Sequence, residues 1–257
     1  MPSTHDAATA HPRYDALLAE WCDLLARCRA ADEGAPRSEP RPDPHTDPHT
    51  DPRTDPRTGP HAGPRSHPDA RPYGEALLAR WAEPQRRYHT LDHLVAVLAR
   101  ATELTGYARD PDTVALAAWF HDAVYRPDRS ENEERSARLA ERALREAGVA
   151  EARTAEVARL VRLTVTHDPA DGDRDGEVLC DADLAVLAGD PAAYADYAAS
   201  VRAEYAFVPD EDFRVGRARI LRQLLDLPRL FRTPYGHDQW EDVARRNLLT
   251  ELELLEA

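Results

Sequence analysis

The chain has 257 residues, of which 47 are acidic and 33 are basic, so its formal net charge is −14 at pH 7. This charge argues against general nucleic-acid binding and against binding to a membrane surface, because both favour a basic face. No apolar stretch is long enough to span a bilayer, and the N-terminus lacks the pattern of a signal peptide, so we expect a cytoplasmic protein. The sequence contains no lysine, and this bias makes any one arginine weak support for a phosphate site.

The first predicted helix covers residues 13–30. Its apolar residues fall on one stripe of a helix, and they are Leu17, Leu18, Trp21, Leu24, Leu25 and Cys28. A helix with such a stripe needs a partner surface. We therefore expect residues 1–30 to contribute an N-terminal helix that packs on the main domain.

Residues 31–72 contain a tetrapeptide repeat, with Pro after each of Asp43, Asp47, Asp51 and Asp55. Pro or Gly recurs every few positions and apolar side chains are almost absent. Such a segment cannot offset the entropy lost on ordering. The sequence therefore predicts a disordered Pro-rich linker, inserted between the first helix and the rest and carrying no chemistry of its own.

Residues 73–257 predict an all-α domain. Apolar residues recur with helical spacing, and no stretch keeps the alternation that is typical of a strand. Asp112 is a candidate cap for the helix that runs to residue 120, and residues 130–133 have the pattern of a capping box. The other predicted helices span residues 73–82, 90–104, 130–147, 151–167, 191–205, 211–226 and 237–255.

One apolar run, residues 114–120, leads directly into His121 and Asp122. Burying an imidazole and a carboxylate together is costly unless each finds a partner, and a metal ion is a strong partner for both. The chain contains other His-Asp pairs at residues 5–6, 167–168 and 237–238. The apolar setting, rather than the dipeptide itself, therefore marks this pair as a candidate metal site.

Polar residues on apolar helices follow in a fixed order: His93, then His121-Asp122, then Asp183. This order of His, His-Asp and Asp resembles the HD-domain superfamily of metal-dependent phosphohydrolases, over about residues 73–205. The resemblance implies a compact multi-helix HD-domain bundle with one divalent metal at its centre. It also implies that these four residues are the ligands, with Mn, Fe, Co, Ni, Zn or Mg as the ion.

His89 and His93 lie four residues apart, so their side chains share a helix face. The segment that begins Tyr88-His89 is similar to the cyclic-nucleotide phosphodiesterase version of the fold. That similarity implies that His93 binds the metal and that His89 donates a proton to the leaving oxygen, a role that suits imidazole. The alternative for His89 is a hydrogen bond to the backbone at the helix start. Asp122 is expected to act on the attacking water as well as to bind metal.

Three more residues are candidates for the surroundings of the ligands. In Asp-x-Asp-Leu stretches of the superfamily the second Asp binds the metal, which implies Asp183 and leaves Asp181 either to orient a ligand histidine or to be exposed. Some members hold two metals with the help of added histidines. His167 is one such candidate here, and Glu133 could serve as a carboxylate ligand. We favour one metal, because the second added histidine is missing.

The wider pattern is similar to a bacterial group of predicted metal-dependent HD phosphohydrolases, over most of the chain outside residues 31–72. The segments that carry this similarity are 86–89, 132–133, 204–205, 216–217 and 244–248. Arg87 and Arg217 are candidates to hold a phosphate, because a guanidinium fork matches its oxygens. A surface or interhelical position is the alternative for each arginine.

The predicted function is metal-dependent hydrolysis of a phosphate ester in a small molecule such as a nucleotide, by metal-activated water. The expected partner is accordingly a small phosphorylated substrate, while the oligomeric state stays open. Two alternatives also stay open. One is a di-iron HD-type oxygenase, and the other is a metal-stabilised binding module without turnover.

Overall fold

The computed structural model describes residues 3–34 and 67–257, and all regular structure in these residues is helical. The all-α class predicted from the apolar spacing is confirmed for this part of the chain. The α-helices are α1 (Thr4–Thr9), α2 (Tyr14–Gly34), α3 (Arg71–Trp81), α4 (Leu91–Glu103), α5 (Pro111–Phe120), α6 (Asn132–Glu146), α7 (Glu151–Leu163), α8 (Arg174–Leu184), α9 (Pro191–Glu204), α10 (Asp210–Asp226) and α11 (Pro234–Glu256). Short 3-10 helices cover Thr105–Tyr107 and Ala185–Ala188.

Helix α5 lies at the centre of the core and contacts α2, α4, α6, α7 and α8. Nearly all of its residues are apolar, and those from Leu116 to Phe120 are buried without a gap. Its cap is Asp110, whose side chain accepts from the Thr113 backbone N–H at 3.1 Å. The prediction of Asp112 as the cap is wrong, because that carboxylate pairs instead with Arg27 of α2 at 2.8 Å.

Helix α2 packs against α3 and α5. The Trp21 ring meets the Trp119 ring edge to face at 5.4 Å and the Phe120 ring at 6.0 Å. α2 continues to Gly34 and α3 begins at Arg71, so both ends of the predicted linker are helical. Residues 35–66 lie outside the described residues, and with them the prediction that this segment is disordered.

The loop after α5 is fastened to the start of α6. Asn132 accepts from the Arg126 backbone N–H at 3.0 Å and donates to the Arg126 carbonyl at 3.0 Å. Ser136 accepts from the Val124 backbone N–H at 3.0 Å. The capping box predicted at residues 130–133 does not form, because the helix begins at Asn132 and its N-cap Glu131 makes no side-chain cap bond. The loop contacts fix the turn that follows the central His-Asp pair.

Helix α7 ends at Leu163, four residues before the predicted end. The chain then turns, and His167 adopts the left-handed backbone conformation with φ of 50°. This conformation is uncommon for a residue other than glycine and needs support from its surroundings. None of the described helices combines the length and the apolarity that a membrane crossing requires.

Candidate metal centre

Three mutually packed helices bring the predicted ligands together. α4 carries His93, the end of α5 carries His121 and Asp122, and α8 carries Asp183. α4, α5 and α8 contact one another in every pairing. The residues are separated by up to 90 positions in the sequence and meet because these helices share the core.

The distances between donor atoms suit a metal ion. His93 Nε2 lies 3.2 Å from His121 Nε2 and 3.2 Å from Asp183 Oδ1, and His121 Nε2 lies 3.6 Å from the same oxygen. A tetrahedral site with metal–ligand distances near 2.0–2.2 Å places neighbouring donors about 3.3–3.6 Å apart. Both histidines are buried and the carboxylate is half-buried. This group could therefore hold a metal ion.

Asp122, the fourth predicted ligand, lies beside this group. Its Oδ2 is 3.3 Å from His121 Nε2 and 3.8 Å from His93 Nε2. The same oxygen is 3.8 Å from His89 Nε2. The carboxylate thus stands between the ligand histidines and the predicted proton donor.

The tautomer of His121 also fits a metal site. Its Nδ1 donates to the Ala118 carbonyl at 2.8 Å, since a carbonyl oxygen can only accept. In the neutral ring this leaves an unprotonated Nε2 that points at His93 and Asp183. Two ring nitrogens facing each other between carboxylates are favourable only when a proton or a cation lies between them. A backbone carbonyl on the far nitrogen is the usual way to orient a metal-bound histidine.

The electrostatics of the group call for positive charge. Burial disfavours a charged His121, but Asp122 and Asp183 outweigh burial and raise the pKa of that imidazole to about 9. Burial lowers the pKa of His93. Burial also opposes ionisation of Asp183, yet the surrounding histidines hold its pKa well below the usual range. Asp122 and Asp183 therefore favour positive charge at His121, and a divalent cation could supply it in place of a proton.

His89 lies at the edge of the group and is held by the carboxylate of Glu204, to which the sequence analysis assigned no role. Its Nδ1 donates to Glu204 Oε2 at 2.6 Å. Glu204 also accepts from the backbone N–H of Arg87 at 2.9 Å and of His89 at 3.3 Å. Burial opposes a charged Glu204, but these hydrogen bonds prevail and bring its pKa to about 2. The Tyr125 ring stacks on the imidazole at 4.2 Å.

The role of Glu204 could not be read from the sequence. It lies at the end of α9 and meets His89 across 115 positions. The signal in the sequence is that Glu204 lies in a segment similar to the bacterial group. That similarity indicates the residue but not the side chain that it contacts.

His167 contacts the other oxygen of the ligand carboxylate, with Nε2 2.8 Å from Asp183 Oδ2. Arg232 fastens the loop that carries it, through ion pairs with Asp168 at 3.1 Å and Asp171 at 2.6 Å. Glu133 is half-buried. Burial raises its pKa, the charge of Asp122 adds to this effect, and His167 and His89 oppose it. Both candidates for the surroundings of the ligands therefore lie near the centre.

The prediction that Asp181 orients a ligand histidine or is exposed is wrong. The residue is fully buried and accepts from the backbone N–H groups of Arg232 at 2.7 Å and Thr233 at 2.8 Å. It also accepts from the Thr233 hydroxyl at 2.6 Å. Burial raises its pKa to about 6. Asp181 therefore holds the turn before α11, because its side chain leaves α8 in a different direction from that of Asp183.

The two arginines predicted to hold a phosphate have other partners. Arg87 is exposed and donates to the carbonyls of Pro84 at 2.7 Å and Arg86 at 2.8 Å. Arg217 is buried and forms a two-bond pair with Glu251 at 2.8 and 3.0 Å. In the part of the chain that the structure describes, neither arginine makes a hydrogen bond or ion pair with a predicted ligand.

Comparison of the chain with protein-family models, with curated proteins and with solved structures finds no match in any of the three. The resemblance to the HD-domain superfamily therefore rests on the order of His93, His121, Asp122 and Asp183 in the sequence. The distances among their donor atoms are an independent observation about the same four residues.

Proposed function

We propose that this chain is an HD-type hydrolase that cleaves a phosphate ester of a small molecule with the help of a divalent metal. The observation that carries the proposal is the convergence of His93, His121 and Asp183, with His89 held at hydrogen-bonding distance by Glu204 beside this group. A metal site alone fits many functions. A metal site with a carboxylate-backed imidazole at its edge favours a reaction that needs both a cation and a proton donor.

The donor set fits a divalent ion, because two imidazoles and at least one carboxylate suit Zn, Mn, Fe, Co or Ni. His93, His121 and Asp183 would hold it, with Asp122 as the fourth ligand. When bound, such an ion polarises a phosphoryl oxygen and lowers the pKa of water toward neutrality.

His89 is suited to protonate the leaving oxygen. The carboxylate of Glu204 accepts a hydrogen bond from Nδ1–H of His89 and so fixes the orientation of the ring. In this orientation Nε2, the nitrogen that would donate the proton, lies on the side that faces Asp122. The stacked ring of Tyr125 covers one face of His89 and limits its access to water. Asp122 lies between the ligands and His89, where its free oxygen can accept a hydrogen bond from the attacking water.

The test is a screen of nucleotides and sugar phosphates with the Mn²⁺-loaded chain. We expect hydrolysis of at least one ester, abolished by His121→Ala and lowered about 100-fold or more by His89→Gln. The His89→Gln variant should keep its metal, which separates a proton donor from a ligand. His237→Ala is the matched control, because this histidine also precedes an Asp but lies on α11. Turnover of no ester by the metal-loaded chain would contradict the proposal.

The contact of His167 with Asp183 supports a second candidate, the di-iron oxygenase. His167 and the nearby Glu133 could supply donors for a second ion on the outer side of Asp183. Two irons per chain, together with oxygen consumption and an inactive ester screen, would favour this candidate over the hydrolase.

A further inference from the structure

Arg86 is a buried arginine in the segment that carries His89, the proposed proton donor. Only 4% of its surface is exposed. Its guanidinium carbon lies 5.2 Å from the centre of the Trp81 ring and 5.5 Å from that of the Tyr125 ring. The nearest carboxylate oxygen, on Glu83, is 3.7 Å away.

The guanidinium directs its hydrogen bonds to backbone carbonyls of two separate segments. Nη1 donates to the carbonyl of His89 at 2.9 Å. Nη2 donates to the carbonyl of Asp122 at 2.9 Å and lies 3.4 Å from that of Ala123. One planar group therefore joins the residue predicted to donate the proton to the residue predicted to act on the water.

These carbonyls need an outside donor. The carbonyls of Asp122 and Ala123 follow the end of α5, and that of His89 precedes α4, so none of them has a partner within a helix. In a buried position an unpaired carbonyl is unfavourable. A lysine could not replace the arginine, because it presents a point charge rather than a flat fork that spans two segments.

Burying a cation is costly when its nearest carboxylate oxygen, at 3.7 Å, is outside hydrogen-bonding distance, so the two backbone links are better explained by a function than by stability alone. From this we infer that Arg86 is a positioning residue, which sets the spacing of His89 and Asp122 about the metal by holding both main chains. This inference rests on the metal centre of the proposed function and is independent of the substrate.

The experiment compares Arg86→Met and Arg86→Lys with the unsubstituted protein. The control is Arg142→Met, at an exposed arginine on α6. The measurement is the dissociation constant for Mn²⁺, from electron paramagnetic resonance of the free ion, at a temperature where circular dichroism shows each protein folded. We expect both Arg86 variants to bind Mn²⁺ about tenfold or more weakly, as for other residues that orient ligands. Arg142→Met should bind it unchanged.

A lower melting temperature with an unchanged Mn²⁺ dissociation constant in Arg86→Met would overturn the inference, since a structural role alone predicts this result. If Arg86→Met does not fold, the Mn²⁺ dissociation constant of Arg86→Lys tests the inference, because lysine keeps the charge but cannot bond to both segments. Wild-type affinity in that variant would overturn the inference. Failure of the unsubstituted protein to bind Mn²⁺ would overturn the metal centre itself, and the inference with it. Weakened binding in the variants, with turnover of no ester, would support the role of Arg86 and contradict the hydrolase.

Discussion

At the scale of single residues, His121 and His89 differ in the group that accepts the hydrogen bond from Nδ1. For His121 it is the neutral carbonyl of Ala118, at 2.8 Å. For His89 it is the carboxylate of Glu204, at 2.6 Å. The carbonyl fixes Nδ1 of His121 as the donor and leaves Nε2 to bind a metal, whereas a carboxylate on Nδ1 of His89 suits a ring that takes part in proton transfer. The two partners thus support the two roles proposed for these side chains.

The Glu204 contact predicts a pH-dependent contribution to stability. The pKa of Glu204 is depressed from 4.5 to about 2, so its contribution is fully present above pH 4.5 and is lost as the pH falls toward 2. Glu204→Gln should therefore lower the free energy of unfolding by roughly 2–3 kcal/mol at pH 7. The difference should disappear over that acid window.

The measurement for Glu204→Gln is urea unfolding at several pH values with a chelator present, so that metal binding does not contribute. Glu211→Gln is the control, because this glutamate is exposed on α10. A deficit in Glu204→Gln that stays the same from pH 7 to pH 2 would show that the ionised carboxylate does not stabilise the fold.

At the scale of elements, the sequence predicts helices better than it predicts their ends. Apolar spacing places α4 and α9 within one residue of their observed bounds, because packing of one face determines both the pattern and the helix. The end of a helix depends on which nearby side chain caps the helix and which bonds to the neighbouring loop instead. Asn132 bonds to the backbone of Arg126 in the loop before α6. The helix begins at Asn132, two residues after the start of the predicted capping box at residue 130.

Helix α2 offers an element-scale prediction, because Trp21 is fully buried against α5. Trp21→Ala should lower the free energy of unfolding by about 3–5 kcal/mol, as for other large aromatic residues in cores. Glu20→Ala changes the adjacent exposed residue and should stay within about 0.5 kcal/mol. Urea unfolding measures both. A loss under about 1 kcal/mol in Trp21→Ala would mean that α2 is not part of the core.

At the scale of the whole molecule, the convergence of His93, His121 and Asp183 could be anticipated because each is a polar residue in or next to an apolar run. The contacts between distant segments could not. The resemblance separates Asp183 from Asp181 but does not give the partners of Asp181, which follow from the direction in which its side chain leaves α8. Likewise, Glu204 and Arg86 form hydrogen bonds with backbone groups, and the pattern of residue types does not indicate such bonds.

The residues that flank 35–66 are in contact, since Glu33 Oε1 lies 3.0 Å from His67 Nε2. A short chain can therefore connect α2 to the residues before α3. We predict that replacing residues 35–66 with a short Gly/Ser linker changes neither the Mn²⁺ dissociation constant nor the helical circular dichroism signal. Loss of either would show that the segment supports the domain.

The most direct measurement is the metal content of the chain purified without added metal, determined per chain by elemental analysis. We expect about one divalent transition metal per chain. Asp122→Ala should lose it and melt at a lower temperature, because metal binding contributes to folding. Asp238→Ala, at the exposed Asp of another His-Asp pair, should keep it. No metal after reconstitution with Mn²⁺, or equal metal in the two variants, would contradict the assignment of this centre.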